Sequence, residues 1–570
     1  MYKRQVSLKG KTKLLAKKNL YHEIDFSPDG KFILISIIQK PFSYLVPYYR
    51  FPMKYAIYSS KGKELTVLHE VPLIEDLPKG FMAVRTGPRN FSWRSDRPSD
   101  LIFVEALDGG NPEKDIKYRD EIFEIGYPFK QNKVSLLKTI NRFYRIDWCN
   151  DTLALGYDYW WNTRNTKTYV FSPSNSNKKP KIIIDRNYQD RYNDPGSFVK
   201  RGNIYGKSIL AVNENNLFLI GDGFRDDGQF PFIDKVDLNS LKKVRLYESS
   251  FKDKKEDLLD FEVDNNMIMT RIESASEYPN YFFRDLKTDS LTKITDFENP
   301  FLSIMDVSKE VIEYKRSDGI DLSATLYLPK GYDVNKKQKL PMIMWAYPRE
   351  FKDNKSASQI TQNKNEFTFP YWGSPIYWLT RGYVVLDDVS FPIIGEGDTQ
   401  PNDNFRKQLV DNASSAINRV YELGYIDKEK VAIGGHSYGA FMVANLLSHS
   451  KLFAAGIARS GAYNRTLTPF GFQSEERNYW EAPDTYYNMS PFMHAEKVKT
   501  PLLLIHGVED NNSGTYPLQS ERYFNALKGL GATTRLVMLP KESHSYRAKE
   551  SIMHMLWEQD RWLEKYVKNK

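Results

Sequence analysis

The stretch Val431-Ala-Ile-Gly-Gly-His-Ser-Tyr-Gly-Ala-Phe-Met442 contains the pattern Gly-x-Ser-x-Gly, with Ser437 at its centre. An apolar run precedes the pattern, and a run of helical character, residues 440–447, follows it. This context is that of a nucleophile elbow, in which a strained strand-to-helix turn exposes a serine and flanking glycines relieve crowding. The sequence therefore predicts that Ser437 is a nucleophile and that the Tyr438 N–H faces a developing oxyanion.

Two later loops offer the partners that a nucleophilic serine needs. The serine requires a base and the base an orienting carboxylate, and in this fold the acid and then the histidine follow the serine along the chain. Asp510 and His544 each follow an apolar run, so we predict that they complete a triad with Ser437. Glu509 is the rival acid, and His506, which abuts its strand, is expected to shape the turn.

The C-terminal half alternates apolar runs with helical patterns, which predicts an α/β domain with a mostly parallel sheet and helices on both faces. Gly424 is predicted to end the first long helix. The predicted strands are 342–347, 383–386, 431–434, 454–458, 502–505 and 535–539, and the predicted helices are 412–423, 440–447, 519–530 and 552–563.

The first 300 residues consist of short aromatic and β-branched runs separated by polar turns. A degenerate repeat of turn and strand recurs every 50–65 residues or so, about one four-stranded propeller blade. Its turns precede Lys31, Leu101, Leu153, Leu217 and Met267. We expect a β-propeller-like, N-terminally truncated domain over residues 1–305 and a catalytic domain over 306–570; a β-sandwich or an irregular β domain is the alternative.

Composition excludes several classes of protein. The excess of Lys and Arg over Asp and Glu is 81 − 72 = +9 in 570 residues, too dilute to indicate nucleic-acid binding. The single cysteine, Cys149, excludes a disulfide framework and a thiolate metal site, and the dispersed histidines predict no metal and no cofactor. No apolar stretch has the length of a spanning helix, and no signal peptide opens the chain, which as written indicates a cytoplasmic protein. If a signal peptide was lost with a missing N-terminus, the expectation becomes a periplasmic or secreted one.

Five strings together resemble the prolyl oligopeptidase family of serine peptidases, and most closely its glutamyl endopeptidase branch. They are Ile343-Met-Trp-Ala-Tyr-Pro, Pro392-Ile-Ile-Gly-Glu-Gly-Asp, Gly434-Gly-His-Ser-Tyr-Gly-Ala-Phe-Met, Ala458-Arg-Ser-Gly-Ala-Tyr-Asn-Arg-Thr-Leu-Thr-Pro-Phe-Gly-Phe-Gln and Ile505-His-Gly-Val-Glu-Asp-Asn-Asn. The resemblance implies an α/β-hydrolase domain behind a β-propeller. It also implies the same triad, with the Tyr347 hydroxyl as a second oxyanion donor beside the Tyr438 N–H.

The segment after the nucleophile helix predicts specificity. It carries Arg459 and Arg465 where the prolyl and dipeptidyl branches have an apolar wall, and an arginine fork suits a carboxylate side chain. We therefore predict cleavage after Glu, with Asp second, through Arg465 before Arg459, and a substrate contact from Asn512. In the alternative, both arginines pair with neighbours such as Glu475 or Glu476.

The function predicted from these features is hydrolysis of peptides or unfolded polypeptides through an acyl-enzyme. The propeller is expected to cap the site and restrict entry. Three alternatives remain at this point: a carboxylesterase or lipase, which uses the same triad, a peptide-binding pseudoenzyme that uses the propeller, and a propeller that acts as a protein-interaction platform alongside catalysis. The oligomeric state has no sequence signal.

Overall fold

The computed structural model describes residues 3–6, 10, 12–130, 133–304 and 307–570. Within these ranges the strands up to Lys293 form separate antiparallel sheets, and the strands from Ser308 onward form one large mixed sheet and one small parallel pair. The predicted boundary between residues 305 and 306 lies outside the described residues. The limits 1–305 and 306–570 therefore stay a prediction.

Five four-stranded antiparallel sheets succeed one another in the described part of the N-terminal domain. Sheets of this kind, each built from consecutive hairpins, are propeller blades, and the predicted propeller is confirmed over a β-sandwich. Their strands are Leu20–Phe26, Phe32–Ile38, Met53–Ser59 and Glu64–Val71; Arg89–Trp93, Leu101–Ala106, Asp120–Ile125 and Val134–Thr139; Arg142–Asn150, Leu153–Trp160, Asn165–Phe171 and Lys181–Asn187; Ser197–Phe198, Asn216–Gly221, Phe232–Asp237 and Lys243–Glu248; and Lys255–Glu262, Met267–Glu273, Asn280–Asp285 and Ser290–Lys293.

Short two-stranded ribbons accompany these sheets. They pair Lys3–Val6 with Thr12–Ala16, Lys200–Gly202 with Ser208–Leu210, and Phe224–Arg225 with Gly228–Gln229, and a 3₁₀ turn spans Tyr48–Arg50. The last two ribbons interrupt the fourth sheet, whose first strand is only two residues long.

The repeated turns of the sequence fall between the first and second strands of the sheets. Gly30, Asn215 and Asn266 lie in three of these turns with positive φ angles of 69°, 63° and 57°. Glycine and asparagine adopt this left-handed conformation at lower cost than other residues, so the turn chemistry fixes where each hairpin reverses.

The C-terminal domain is built on an eight-stranded sheet. Its strands in chain order are β1 (Ser308–Lys315), β2 (Asp321–Leu328), β3 (Leu340–Ala346), β4 (Val384–Val389), β5 (Ile426–His436), β6 (Ala455–Arg459), β7 (Leu502–Gly507) and β8 (Thr534–Leu539). Their spatial order is β1-β2-β4-β3-β5-β6-β7-β8, antiparallel at the β1 end and parallel from β4 to β8. The predicted parallel sheet is confirmed.

Helices cover both faces of this sheet. They are α1 (Asn354–Ala357), α2 (Phe405–Glu422), α3 (Tyr438–His449), α4 (Pro483–Met489), α5 (Leu518–Gly529) and α6 (Lys549–Leu563), with 3₁₀ turns at Leu302–Ile304, Pro375–Arg381, Pro401–Asn404, Arg465–Leu467 and Pro491–Lys497 and a π turn at Glu564–Lys568. A parallel pair, Arg349–Phe351 with Pro392–Ile394, lies beside the main sheet.

Helix α2 begins seven residues before the predicted start at residue 412. Phe405 and Leu409 extend its buried face by two further positions at helical spacing, although charged residues surround them in the sequence. Gly424 follows the helix with a φ of +88° and ends it as predicted.

Propeller loops contact the segments that follow the carboxyl ends of the parallel strands. The Gln189 amide donates to the Glu350 carbonyl at 2.8 Å, and the Asn187 amide donates to Asp353 at 2.7 Å. On another side the Phe81 N–H donates to Glu476 at 2.9 Å. The propeller therefore covers the edge of the sheet at which β5 ends in the predicted nucleophile.

Candidate active site

Ser437 occupies a sharp turn between β5 and α3. Its φ of 59° and ψ of −118° are unfavourable for a residue with a side chain, which is the strain predicted for a nucleophile elbow. A Cβ at position 435 would lie 2.4 Å from the Gly439 carbonyl, and one at 439 would lie 2.8 Å from the Ala346 oxygen. Only glycine therefore fits on either side of the serine.

The Ser437 hydroxyl does not cap the helix that it precedes. A serine before a helix ordinarily accepts from a backbone N–H of the first turn, but no such bond forms here. Its Oγ instead lies 3.0 Å from His544 Nε2, and His544 Nδ1 lies 2.8 Å from Asp510 Oδ2. The three predicted residues are thus within hydrogen-bond reach in the order that nucleophile, base and acid require.

Asp510 is 3% exposed, and its carboxylate accepts further hydrogen bonds besides the one from His544. His506 Nε2 and Thr515 Oγ1 each lie 3.1 Å from Asp510 Oδ2, and the Asn512 N–H donates to Oδ1 at 3.0 Å. Burial by itself raises the pKa of Asp510, but the hydrogen bonds from His506 and His544 outweigh it and hold that pKa well below its ordinary value. Asp510 is therefore an ionised partner for the histidine.

His506 does more than the turn-shaping role expected of it. Its Nδ1 lies 2.6 Å from Ser520 Oγ, so the buried ring bridges helix α5 and the carboxylate. The sequence offered one signal, because His506 ends the same strand whose loop carries Asp510. Thr515, which contacts both Asp510 and His544 Nδ1, has no comparable signal.

Tyr347 follows β3 and lies beside the elbow. Its ring centroid is 5.9 Å from that of Tyr438, and the residue is 46% exposed. Burial raises the pKa of Tyr347, while its closeness to the side chains of Gln473 and Ser437 opposes the rise. The hydroxyl is therefore a neutral donor next to Ser437, as the role of second oxyanion donor requires.

Tyr347→Phe tests this role. We expect kcat to fall by about 10²–10³ with a smaller change in KM, because one of two donors to the tetrahedral oxyanion is lost. Steady-state kinetics on a peptide amide measure the split. An unchanged kcat would make Tyr347 an ordinary aromatic residue at the end of a strand.

Arg465 faces a cavity of about 190 Å³ that opens at the nucleophile and is lined by Ser437, Tyr438, Phe472, Gln473 and Asn512 among others. The Arg465 guanidinium is 4.1 Å from the ring centroid of Phe441 and 4.5 Å from that of Phe472.

In the described part of the chain no carboxylate lies within ion-pair distance of Arg465, which is 3% exposed and whose Nε has no hydrogen-bond partner. Burial lowers the pKa of Arg465 to about 10, so it remains charged at neutral pH.

The proposed partners of the arginines are engaged elsewhere. Glu475 forms a two-point ion pair with Arg477 at 2.7 and 2.8 Å, and Glu476 accepts the bond from the Phe81 N–H. The alternative in which these glutamates neutralise Arg465 or Arg459 is therefore not what the structure shows.

The structure separates the two arginines. Arg459, at the end of β6, lines a different cavity, where it donates to the Gly373 carbonyl at 2.9 Å and stacks at 4.2 Å from the Trp345 ring centroid. Asn512 lies with Arg465. Of the three predicted substrate contacts, the structure therefore brings Arg465 and Asn512 to the same cavity as Ser437 and places Arg459 outside it.

Glu350 is a buried neighbour that the sequence interpretation missed. Its carboxylate accepts from the Tyr438 hydroxyl at 2.6 Å, and burial raises its pKa above the ordinary value. A single glutamate in a short strand gives no sequence signal for such a contact.

The described residues contain neither a metal-binding cluster nor a membrane-spanning helix. Among them no group of three or more His, Cys, Asp or Glu side chains is arranged to hold a metal ion. No helix there is long and apolar enough to cross a bilayer.

The chain is similar to known peptidases. A family model described as the prolyl oligopeptidase family matches residues 400–570. The probable chloroplastic glutamyl endopeptidases of Oryza sativa subsp. japonica and Arabidopsis thaliana are each 44% identical over 98% of this chain. The chain spans 62% and 60% of the length of these two relatives.

Solved structures share the fold. An acylaminoacyl peptidase of Pyrococcus horikoshii superposes with a TM-score of 0.63 at 17% identity, over 98% of this chain and 84% of that one. Dipeptidyl peptidase 4 of Porphyromonas gingivalis superposes with a TM-score of 0.57 at 15% identity, over 96% and 90%. These likenesses support a propeller joined to an α/β-hydrolase domain.

Proposed function

We propose that the protein is a serine peptidase of the prolyl oligopeptidase family, whose family model matches residues 400–570, and that it hydrolyses peptide bonds through Ser437, His544 and Asp510. The observation that carries the proposal is the continuous contact from Ser437 Oγ through His544 to Asp510, at 3.0 and 2.8 Å. A strained serine with a histidine and an ionised carboxylate in line is the arrangement that acyl transfer needs.

In the first step Ser437 Oγ attacks the scissile carbonyl while His544 Nε2 takes the hydroxyl proton. Asp510 keeps the imidazole in the correct tautomer and stabilises the imidazolium that forms. The tetrahedral oxyanion accepts from the Tyr438 N–H, at the positive end of helix α3, and from the Tyr347 hydroxyl. His544 then returns its proton to the leaving amine, and the carbon–nitrogen bond breaks.

In the second step water replaces the amine. His544 removes a proton from the water as the water attacks the acyl-enzyme. When the second tetrahedral species collapses and the bond to Ser437 Oγ breaks, His544 gives that proton to Oγ, which releases the acid and restores the hydroxyl. The same residues thus act twice, once on each side of the covalent intermediate.

Arg465 supports a preference for Glu, with Asp second, at the residue before the scissile bond. Its guanidinium is buried, unpaired among the described residues and adjacent to the nucleophile. Glu350 acts on Arg465 only from beyond ion-pair distance. A substrate carboxylate would give the guanidinium a direct partner with fork geometry, whereas an apolar side chain would not. The names of the plant relatives point to the same preference.

Arg465→Met tests the preference, because methionine keeps the length and contacts of the stem and removes the charge. We expect kcat/KM for Glu peptides to fall by about 30- to 900-fold, or about 2–4 kcal/mol, while Ala peptides change little. Paired Glu and Ala peptide amides measure the ratio.

Arg459→Met is the matched control, since Arg459 is equally buried but lines the other cavity. It should preserve the ratio of Glu to Ala cleavage. An Arg465→Met enzyme that still prefers Glu, or a wild-type library digest with cleavage after Pro or Ala, would overturn the assignment.

A panel of matched peptide amides and carboxylic esters, followed by mass-spectrometric analysis of a peptide-library digest, tests the peptidase function itself. A peptidase hydrolyses the amides as well as the esters, whereas a carboxylesterase cleaves only the esters. A pseudoenzyme cleaves neither and does not react with a fluorophosphonate.

A further inference from the structure

A second cavity, of about 410 Å³, is lined by His436, the residue directly before the candidate nucleophile, and by Tyr347. It shares no lining residue with the Arg465 cavity. Its walls combine aromatic rings with two carboxylates, and the lining residues include Tyr347, Tyr371, Trp372, Asp387, Asp388 and His436.

The position of this cavity relates it to the leaving group. His436 directly precedes Ser437, its ring centroid lies 4.9 Å from that of His544, and Tyr347 is the proposed oxyanion donor. If Ser437 is the nucleophile, His544 gives its proton to the departing amine, so the departing segment passes beside His544. This inference rests on the proposed function and extends it to the other side of the scissile bond.

Arg459 also lines the cavity and is charged at neutral pH, because burial lowers its pKa only to about 10, but its faces and both Nη groups are occupied. Its guanidinium stacks on the rings of Trp345 and Trp372 at 4.2 and 5.3 Å, and it is 2% exposed. One Nη donates to the Gly373 carbonyl, and the other lies 3.5 Å from Met555 Sδ. Burial, reinforced by the charges of Arg459 and His544, lowers the pKa of His436 to about 3, so this histidine is uncharged at neutral pH.

Asp387 and Asp388 are the groups that remain accessible. Both lie in β4, Asp387 half-buried and Asp388 exposed, and the Asp388 N–H donates to Asp387 Oδ1 at 3.0 Å. Among the described residues no Lys or Arg side chain lies within 4 Å of either carboxylate, although Lys309, Arg349 and Arg459 are the cations that act on them from a distance.

Their surroundings make the two carboxylates receptive to a cation. Burial raises the pKa of Asp387 to about 7, and the charge of Asp388 adds to the rise, while the Asp388 N–H and the distant charges of Lys309 and Arg459 oppose it. Lys309 acts on Asp387 more strongly than Arg459 does, but its ammonium donates to the Glu366 carbonyl.

We propose that this cavity is a leaving-side subsite that binds a Lys or Arg side chain located within the first two residues after the scissile bond. The rings of Tyr347, Tyr371 and Trp372 offer apolar and π surface to the stem and to the cation, and Asp387 and Asp388 accept its N–H groups. The enzyme then binds an acidic substrate side chain before the scissile bond in the Arg465 cavity and a basic side chain after it in this second cavity.

The test uses internally quenched peptides with Glu before the scissile bond that differ only in one leaving-side residue, lysine, its neutral isostere norleucine, or glutamate. We expect kcat/KM for wild-type protein to be at least about tenfold higher for lysine than for norleucine, and lowest for glutamate. In Asp387→Asn/Asp388→Asn the ratio of lysine to norleucine should fall to within about twofold of one.

Two controls distinguish loss of the subsite from loss of the fold or of the peptidase activity. Glu429→Gln removes one negative charge at the far end of β5, about 25 Å along the strand from Ser437, and should preserve the ratio. A Glu-aminocoumarin amide has no leaving-side residue, so its hydrolysis by the double variant shows that the fold and the nucleophile are intact. If the double variant fails to fold, the single Asp388→Asn variant replaces it.

A wild-type ratio near one, or a ratio unchanged in the aspartate variants, would overturn the subsite while coumarin hydrolysis upholds the peptidase. Absence of coumarin hydrolysis and of fluorophosphonate labelling in the wild type would instead overturn the proposed function. In that case fluorescence anisotropy of the labelled lysine and norleucine peptides on wild-type protein still decides whether the cavity selects a cation.

Discussion

Replacing Ser437 by alanine is expected to reduce kcat by about 10⁶-fold, the loss typical when a triad nucleophile is removed. The side chain contributes little to the fold, because its Oγ contacts His544 rather than the core or the first turn of α3. The free energy of unfolding should therefore change by no more than about 0.5 kcal/mol. Hydrolysis of a Glu-aminocoumarin amide and thermal melting measure the two quantities.

The control is Ser545→Ala, which removes an exposed hydroxyl next to His544 in the sequence. It should retain activity within a few-fold of wild type and should still react with a fluorophosphonate. Residual activity above about 1% in Ser437→Ala, or labelling that persists in it, would remove Ser437 from the role of nucleophile.

Those parts of the candidate site could be predicted from the sequence for which a local sequence motif and a general rule of the fold agree. Gly435 and Gly439 mark the elbow because no side chain fits there, and Asp510 and His544 follow strands whose carboxyl ends meet at one edge of a parallel sheet. Once the alternation of strands and helices is recognised, the edge follows from topology. No contact between distant side chains has to be inferred.

The parts that escaped prediction depend on where side chains point. Arg459 and Arg465 are six residues apart, yet one ends β6 and stacks under Trp345 while the other follows a turn into the cavity beside Ser437. Both look alike as arginines after an apolar run. The pleat of β6 and the path of the following loop determine that the two side chains enter different cavities. Neither the pleat direction nor the loop path can be predicted from the residue types alone.

In the propeller, too, some features could be predicted from local sequence signals and others could not. Turn residues such as Gly30 and Asn266 mark where hairpins reverse, because positive φ is a local requirement. The interruption of the fourth sheet by two ribbons leaves the strand Ser197–Phe198 with two residues, too few to carry an apolar pattern. A short strand is defined by the neighbour with which it pairs, and a single sequence does not reveal that neighbour.

The second large expected effect is the loss of kcat when Asp510 is replaced, compared with replacement of the adjacent acid Glu509. Asp510→Asn should lower kcat by about 10⁴-fold, because an amide leaves the geometry intact but favours the wrong tautomer of His544. Glu509→Gln should change kcat by less than threefold or so, since its side chain is exposed and the described contacts involve only its backbone N–H, which donates to the Glu542 carbonyl. Steady-state kinetics of both variants on one peptide amide give the ranking.

The asparagine variant is preferable to alanine because Asp510 also holds His506, Thr515 and the Asn512 N–H. Truncation would leave buried donors without an acceptor, at a cost of about 1–3 kcal/mol each, and would mix unfolding with loss of catalysis. Asparagine retains an oxygen acceptor, so melting temperatures close to wild type would assign the loss to the tautomer of His544. The opposite ranking, with Glu509→Gln inactive and Asp510→Asn active, would mean that the acid lies one residue earlier and that the loop after β7 takes another path when substrate is bound.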